Sequence, residues 1–204
     1  MVIDMKQTRL GVNADFIFST AENPKVYQAC VRLCEGSPDI DLIQKDVQIL
    51  KLSSDEVPTG VSGIFFREKV LSYIKKPNGD ICGEISLKIA HKLMTWYKYI
   101  QINYNAELLN CYEVKMGKDG DFICIYLGDI QIAMIEKSTI FNDDMNICKI
   151  YVKKDKYTEI VCLYAVYHNY LALKNDNESK KENYEYTLNK NLRKKYNPRF
   201  KEEC

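Results

Sequence analysis

The chain has 204 residues, 46% of them hydrophobic and 28% charged, which is enough for one good core and ordinary for a globular protein. Twenty-nine basic against 28 acidic residues leave a net charge of +1, so the overall field recruits neither nucleic acid nor acidic substrates. Two histidines leave little material for acid–base or metal chemistry.

Met1 to Lys6 lacks the long apolar core of a secretory signal, and no run of about 18 apolar residues occurs, so a cytoplasmic protein without a membrane span is expected. The eight cysteines lie mostly within periodic apolar segments and read as reduced core thiols. Asn177-Glu178-Ser179 matches a glycosylation sequon, which needs a secreted context.

Taken in order, a short polar lead precedes Asp15–Thr20, whose aromatic and β-branched content predicts a strand. Asn23-Pro24 then predicts a helix start, with Val26, Tyr27, Cys30, Leu33 and Cys34 on one face and Gly36 as its stop. Ser37-Pro38-Asp39 repeats that start, with Ile40, Ile43, Val47 and Leu50 at helical spacing, although Val47/Ile49 and Leu50/Leu52 also suit alternation. Residues 1–60 are thus expected to supply a strand and short helices to the same domain as residues 61–174.

Residues 61–174 carry the main pattern. After a loop from Ser53 to Gly63 come the strand-like Ile64–Phe66 and Val70–Ile74, the hairpin turn Asn78-Gly79 and the alternating Ile81–Ile89. Strands are predicted again over 96–104, 109–116, 122–126, 130–137 and 147–151, joined by turns at Asn105, Gly117–Gly120 and Gly128. That makes about nine. Thr158 is the predicted N-cap of a helix from Ile160 to Leu173 whose apolar side chains fall on every side, at a length of about 20 Å, well short of a membrane span. Such a helix has to be surrounded.

Residues 175–204 form a charged tail. From Lys174 onward it holds nine basic and six acidic residues, and Tyr184, Leu188, Leu192 and Tyr196 recur every four, which predicts a narrow apolar stripe on a helix ended by Pro198.

The pattern Tyr112-Glu-Val114, Gly117 to Gly120, Ile123–Tyr126, Gly128, Ile130–Lys137 and Tyr151-Val152, followed by the apolar helix, resembles the tubby C-terminal-like superfamily, which includes LURP-one-related proteins and phospholipid scramblases. The resemblance covers about 61–174. It implies a closed antiparallel β-barrel, usually of twelve strands, threaded by a hydrophobic helix near the C-terminus, and it allows phosphoinositide binding. The sequence fold class is therefore mainly β with α: an antiparallel barrel enclosing a C-terminal helix, with short N-terminal helices.

No CxxC, HExxH, GxxxxGK[ST] or GxSxG motif occurs, so no catalytic residue, metal or cofactor is assigned. Asn142, Asp143, Asp144 and Asn146 lack EF-hand spacing and read as a solvated loop. Lys75 and Lys76 beside a hairpin, and Lys153, Lys154 and Lys156 before the helix, are the candidate ligands for anionic phospholipid headgroups. The reading is a non-enzymatic binding or scaffold protein with an anionic lipid or a protein as partner. The alternative is a small-ligand carrier or enzyme with its site at a barrel mouth near His168.

Overall fold

The computed structural model describes residues 1–9, 11, 13–34, 37–54, 69–92, 95–137, 147–175 and 185–204. Ile64–Phe66, the acidic loop from Asn142 to Asn146, the sequon and Tyr184 lie outside these residues, as do the side chains of Leu171 and Leu173.

Twelve antiparallel strands close on themselves, each paired with its neighbours in sequence and the first with the last. They are β1 (Val2–Arg9), β2 (Asp15–Ser19), β3 (Tyr27–Cys34), β4 (Ser37–Gln44), β5 (Val47–Ser53) and β6 (Lys69–Lys75), then β7 (Ile81–Lys92), β8 (Thr95–Tyr104), β9 (Glu107–Lys115), β10 (Asp121–Leu127), β11 (Ile130–Lys137) and β12 (Ile147–Val152). Closure pairs every strand on both sides, so the barrel has no free edge. Helix α1 (Thr158–Asn175) follows β12 through a 3-10 turn at Asp155–Tyr157.

One core cluster draws buried side chains from all twelve strands and from α1, among them Ile3, Phe16, Val31, Leu42, Leu52, Ile74, Ile85, Ile102, Cys111, Ile125, Ile135 and Ile150. From Ile160 to Tyr167 every residue of α1 is buried. The buried Asn169 amide donates to Cys148 Sγ at 3.0 Å, so this polar group in the helix is not left unpaired.

Three expectations about the first third of the chain are corrected. The helix predicted after Pro24 is β3, and Tyr27, Ala29 and Val31 alternate on its buried side. Asn23 Oδ1 accepts the Lys25 N–H at 2.9 Å, an Asx turn made by the same chemistry that caps helices. The helix predicted after Pro38 is β4 and β5, folded about Lys45-Asp46 at φ 50° and 62°. That is a primed hairpin turn without its usual glycine. Pro38 is tolerated at the second residue of β4, near the strand's start. The polar lead is β1, in which Ile3, Met5 and Gln7 are buried and alternate with exposed residues.

Thr158 does not cap α1: its hydroxyl is buried with no hydrogen-bond partner among the described residues. The tail is also less helical than its stripe predicts. Among the described residues from 185 onward only α2 (Lys190–Arg193) and a 3-10 segment at Pro198–Glu203 are helical, and Leu188 is 90% exposed. Asn189 caps α2 by accepting the N–H groups of Asn191 and Leu192.

The tail is laid against the outside of the barrel. Tyr186 bridges to Met116, and the Lys115 N–H donates to Thr187 Oγ1 at 2.8 Å. The fully buried Phe200 joins Tyr112, Val114, Phe122, Cys124, Tyr126, Met134 and Tyr151 in a second core. Tyr196 stacks on Phe122 at 4.4 Å.

Candidate functional site

Antiparallel alternation brings the starts of β1, β3, β5, β7, β9 and β11, and the approach to α1, to one end of the barrel. Both lysine groups lie at this rim. Lys75 ends β6 opposite Lys51 and is half-buried. Lys76 is exposed in the hairpin that comes next, where its N–H bonds the Asp80 carbonyl at 2.9 Å. Asn78 holds that turn by donating to Asp80 Oδ2 at 2.7 Å.

Between β12 and α1, Lys153 pairs with Glu203 and lies 5.1 Å over the Phe200 ring. Lys156 pairs with Glu107 at 2.8 Å and lies 4.6 Å over Tyr157. Lys154 is exposed. The strand order sets β6 six places from β12 in either direction, so the two groups share an end of the barrel but stand on opposite sides of it.

The rim also carries apolar groups that sequence reasoning missed. Val2, Val47, Ile81, Leu108 and Ile130 are between 37% and 68% exposed. They open five of the six strands that begin here, each as the first or second residue. Three directly follow hairpin turns and Leu108 comes one residue later, and that position was the available sign: a large aliphatic just after a polar turn, where packing does not demand it. A cleft of about 100 Å³ beside them is lined by Lys25, Tyr27, Ile43 and Asp46 among others. It is below the roughly 300 Å³ at which small-molecule sites begin.

At the other rim the Glu113 carboxylate meets His168 Nε2 at 3.5 Å and Lys137 Nζ at 3.0 Å. The His168 contact, with Lys137 beside it, holds the Glu113 carboxyl well below the usual carboxylate range against an opposing burial effect. Burial pushes the neighbouring Asp121 carboxyl up, countered by Lys115 and Lys137. Lys115 is tied to Glu185 of the tail. His168 Nδ1 is buried, with no hydrogen-bond partner among the described residues.

Burial raises the thiols of Cys111 and Cys162, and that of Cys124 to about 12, which disfavours the thiolates a nucleophile would need. All eight cysteines are free. Among the described residues no group of three or more His, Cys, Asp or Glu is placed to hold a metal ion, and no helix is long and apolar enough to cross a membrane.

The fold and its rims define the class: a closed, twelve-stranded antiparallel β-barrel with an externally docked C-terminal tail. No protein-family model, curated protein or solved structure matches the chain.

Proposed function

We propose that this chain is a tubby-like barrel whose apolar helix α1 threads the lumen, and that it is a non-enzymatic, cytoplasmic binding module which seats one rim on an anionic membrane surface. The lumen reading rests on geometry. Barrels of about eight strands are filled by their own side chains, whereas twelve leave a wider interior. An all-round buried helix in the same core cluster as every strand is the element that fills it. Twelve is also the usual strand number of the family that the sequence resembles.

The single observation that carries the membrane reading is the company the lysines keep. Lys76 and Lys154 are exposed at the rim that carries Val47, Ile81, Leu108 and Ile130. Aliphatic groups entering the headgroup boundary and ammonium groups held among lipid phosphates act together, each lysine near the surface contributing about 1 kcal/mol. Lys153 and Lys156 reinforce this by exchanging Glu203 and Glu107 for phosphate.

Sedimentation with phosphatidylserine vesicles is the test, with phosphatidylcholine vesicles as the control. The parent chain binds the anionic vesicles and is released as salt is raised. Replacing Lys75, Lys76, Lys153, Lys154 and Lys156 by alanine removes the salt-sensitive part, and Ile81→Ser with Ile130→Ser removes the rest. No binding by the parent rejects the membrane version and leaves a protein as the partner. The carrier-or-enzyme reading draws on the Glu113–His168 pair alone; it requires a small ligand whose binding is lost in His168→Gln while the thermal melt is unchanged.

A further inference from the structure

Four tyrosines adjoin on the outer surface of β8, β9 and β10. Tyr97 and Tyr99 are two residues apart on β8 and so share a face. Tyr112 on β9 stacks against Tyr99 with centroids 5.3 Å apart and meets Tyr97 at 6.3 Å. Tyr126 on β10 meets Tyr112 edge-on at 5.8 Å.

Into this group the tail inserts Lys195. Its Nζ lies 4.9 Å from the centroid of Tyr112 and 4.9 Å from that of Tyr126. The Tyr126 hydroxyl donates to the Lys195 backbone carbonyl at 2.8 Å, so one tyrosine grips both ends of the residue. The tail's other ring-seated lysine, Lys201, also has the Glu136 carboxylate, and Lys153 on Phe200 has Glu203. Among the described residues no carboxylate pairs with Lys195. Ring faces hold this cation, through the negative face of each π-system.

A pocket that holds an ammonium by ring faces and not by a carboxylate does not depend on the strong hydration or hydrogen bonding of a primary amine. It accepts alkylated ammonium groups at least as well, because these lose less hydration on entry. We propose that Tyr112 and Tyr126, flanked by Tyr97 and Tyr99, form a recognition site for an alkylammonium group, filled here by the chain's own Lys195 and available to an ammonium of a partner when the tail lifts. Lys195 is a tethered competitor present at high effective concentration, so an external cation binds weakly until it is removed.

The test uses the full chain and tetramethylammonium chloride, with sodium chloride at equal ionic strength as the reference, read by titration calorimetry. Lys195→Ala binds tetramethylammonium about tenfold more tightly than the parent. Adding Tyr112→Leu to that variant abolishes the gain. Equal affinity in the parent and Lys195→Ala, or a gain that survives Tyr112→Leu, overturns the proposal. Lys195→Gln, which keeps the stem and the carbonyl contact, stands in if the alanine variant does not fold. In the parent, limited proteolysis of the tail accelerates with tetramethylammonium but not with sodium; equal rates with both salts count against the site. Choline and free Nε-trimethyl-lysine, titrated in turn, distinguish a lipid headgroup from a side chain as the source of the cation.

Discussion

One core, the inner, gathers aliphatic side chains from all twelve strands, with those of α1 in the same cluster, and polar groups in it are few. Outside, over β9 to β12, the packing is aromatic: Tyr112, Phe122, Tyr126 and Tyr151 receive Phe200 and the lysines of the tail. The inner core joins segments from the whole chain, so no part of it forms without the rest. The outer core joins a finished sheet to about twenty described residues of tail, through a few buried rings and lysines that stay partly exposed. From this contrast we infer that the first is a condition of folding and the second a docking event that can be undone.

The largest expected effect comes from putting a charge into the inner core. Val166→Asp places a carboxylate at a fully buried position of α1 and is expected to cost more than about 4 kcal/mol, which unfolds the domain. A thermal melt like the parent's would show that α1 is not integral. Phe200→Ala removes the anchor of the outer core, with an upper limit of about 3–5 kcal/mol for a buried ring. Here the barrel is expected to keep its cooperative melt while the tail becomes protease-sensitive; complete unfolding would abolish the distinction between the two cores.

Gly117→Ala probes the same seam more gently. At φ 63° the glycine sits where L side chains are strained, and an added Cβ would come within 2.0 Å of the Tyr186 ring. A loss of about 1 kcal/mol or more, with faster tail proteolysis, is expected. The smallest effect is a pH dependence at the rim that carries Glu113 and His168. Glu113 is held below its ordinary value of 4.5 in the folded chain. Its contribution is therefore present above that value and lost as pH falls below it toward the folded value. Melting temperatures from pH 5 to pH 3 should drop more steeply for the parent than for Glu113→Gln; parallel curves would mean that the His168 contact is without consequence. Asp121, whose carboxyl burial raises, acts in the opposite sense, and less so in Glu113→Gln because the Glu113 charge adds to that rise.

Much of this was legible in the residues. Alternation announced β6 to β12, Asn78-Gly79 announced their first hairpin, and the even spread of apolar groups from Ile160 announced a buried helix. The first third misleads because short apolar runs such as Tyr27–Cys34 satisfy both periods, and Asn23 serves an Asx turn as readily as a cap. At the candidate site the lysines were nameable, but their separation was not: it depends on how many strands stand between β6 and β12. The tyrosine group was invisible for a related reason, since Tyr99, Tyr112 and Tyr126 become neighbours only through strand register.

The sequence by itself determined which segments alternate, which helix has no wet side, and which residues are able to carry charge. Local periodicity comes from each residue's own preference for water, and needs no partner. Only the tertiary structure decided that β1 and β3 to β5 are strands and pair around the β2 that alternation had announced, that five aliphatics ring one end, and that the tail's lysine stands over tyrosines. Those facts come from closure, which couples positions far apart in the chain and lets a strand that is ambiguous alone be fixed by its neighbours.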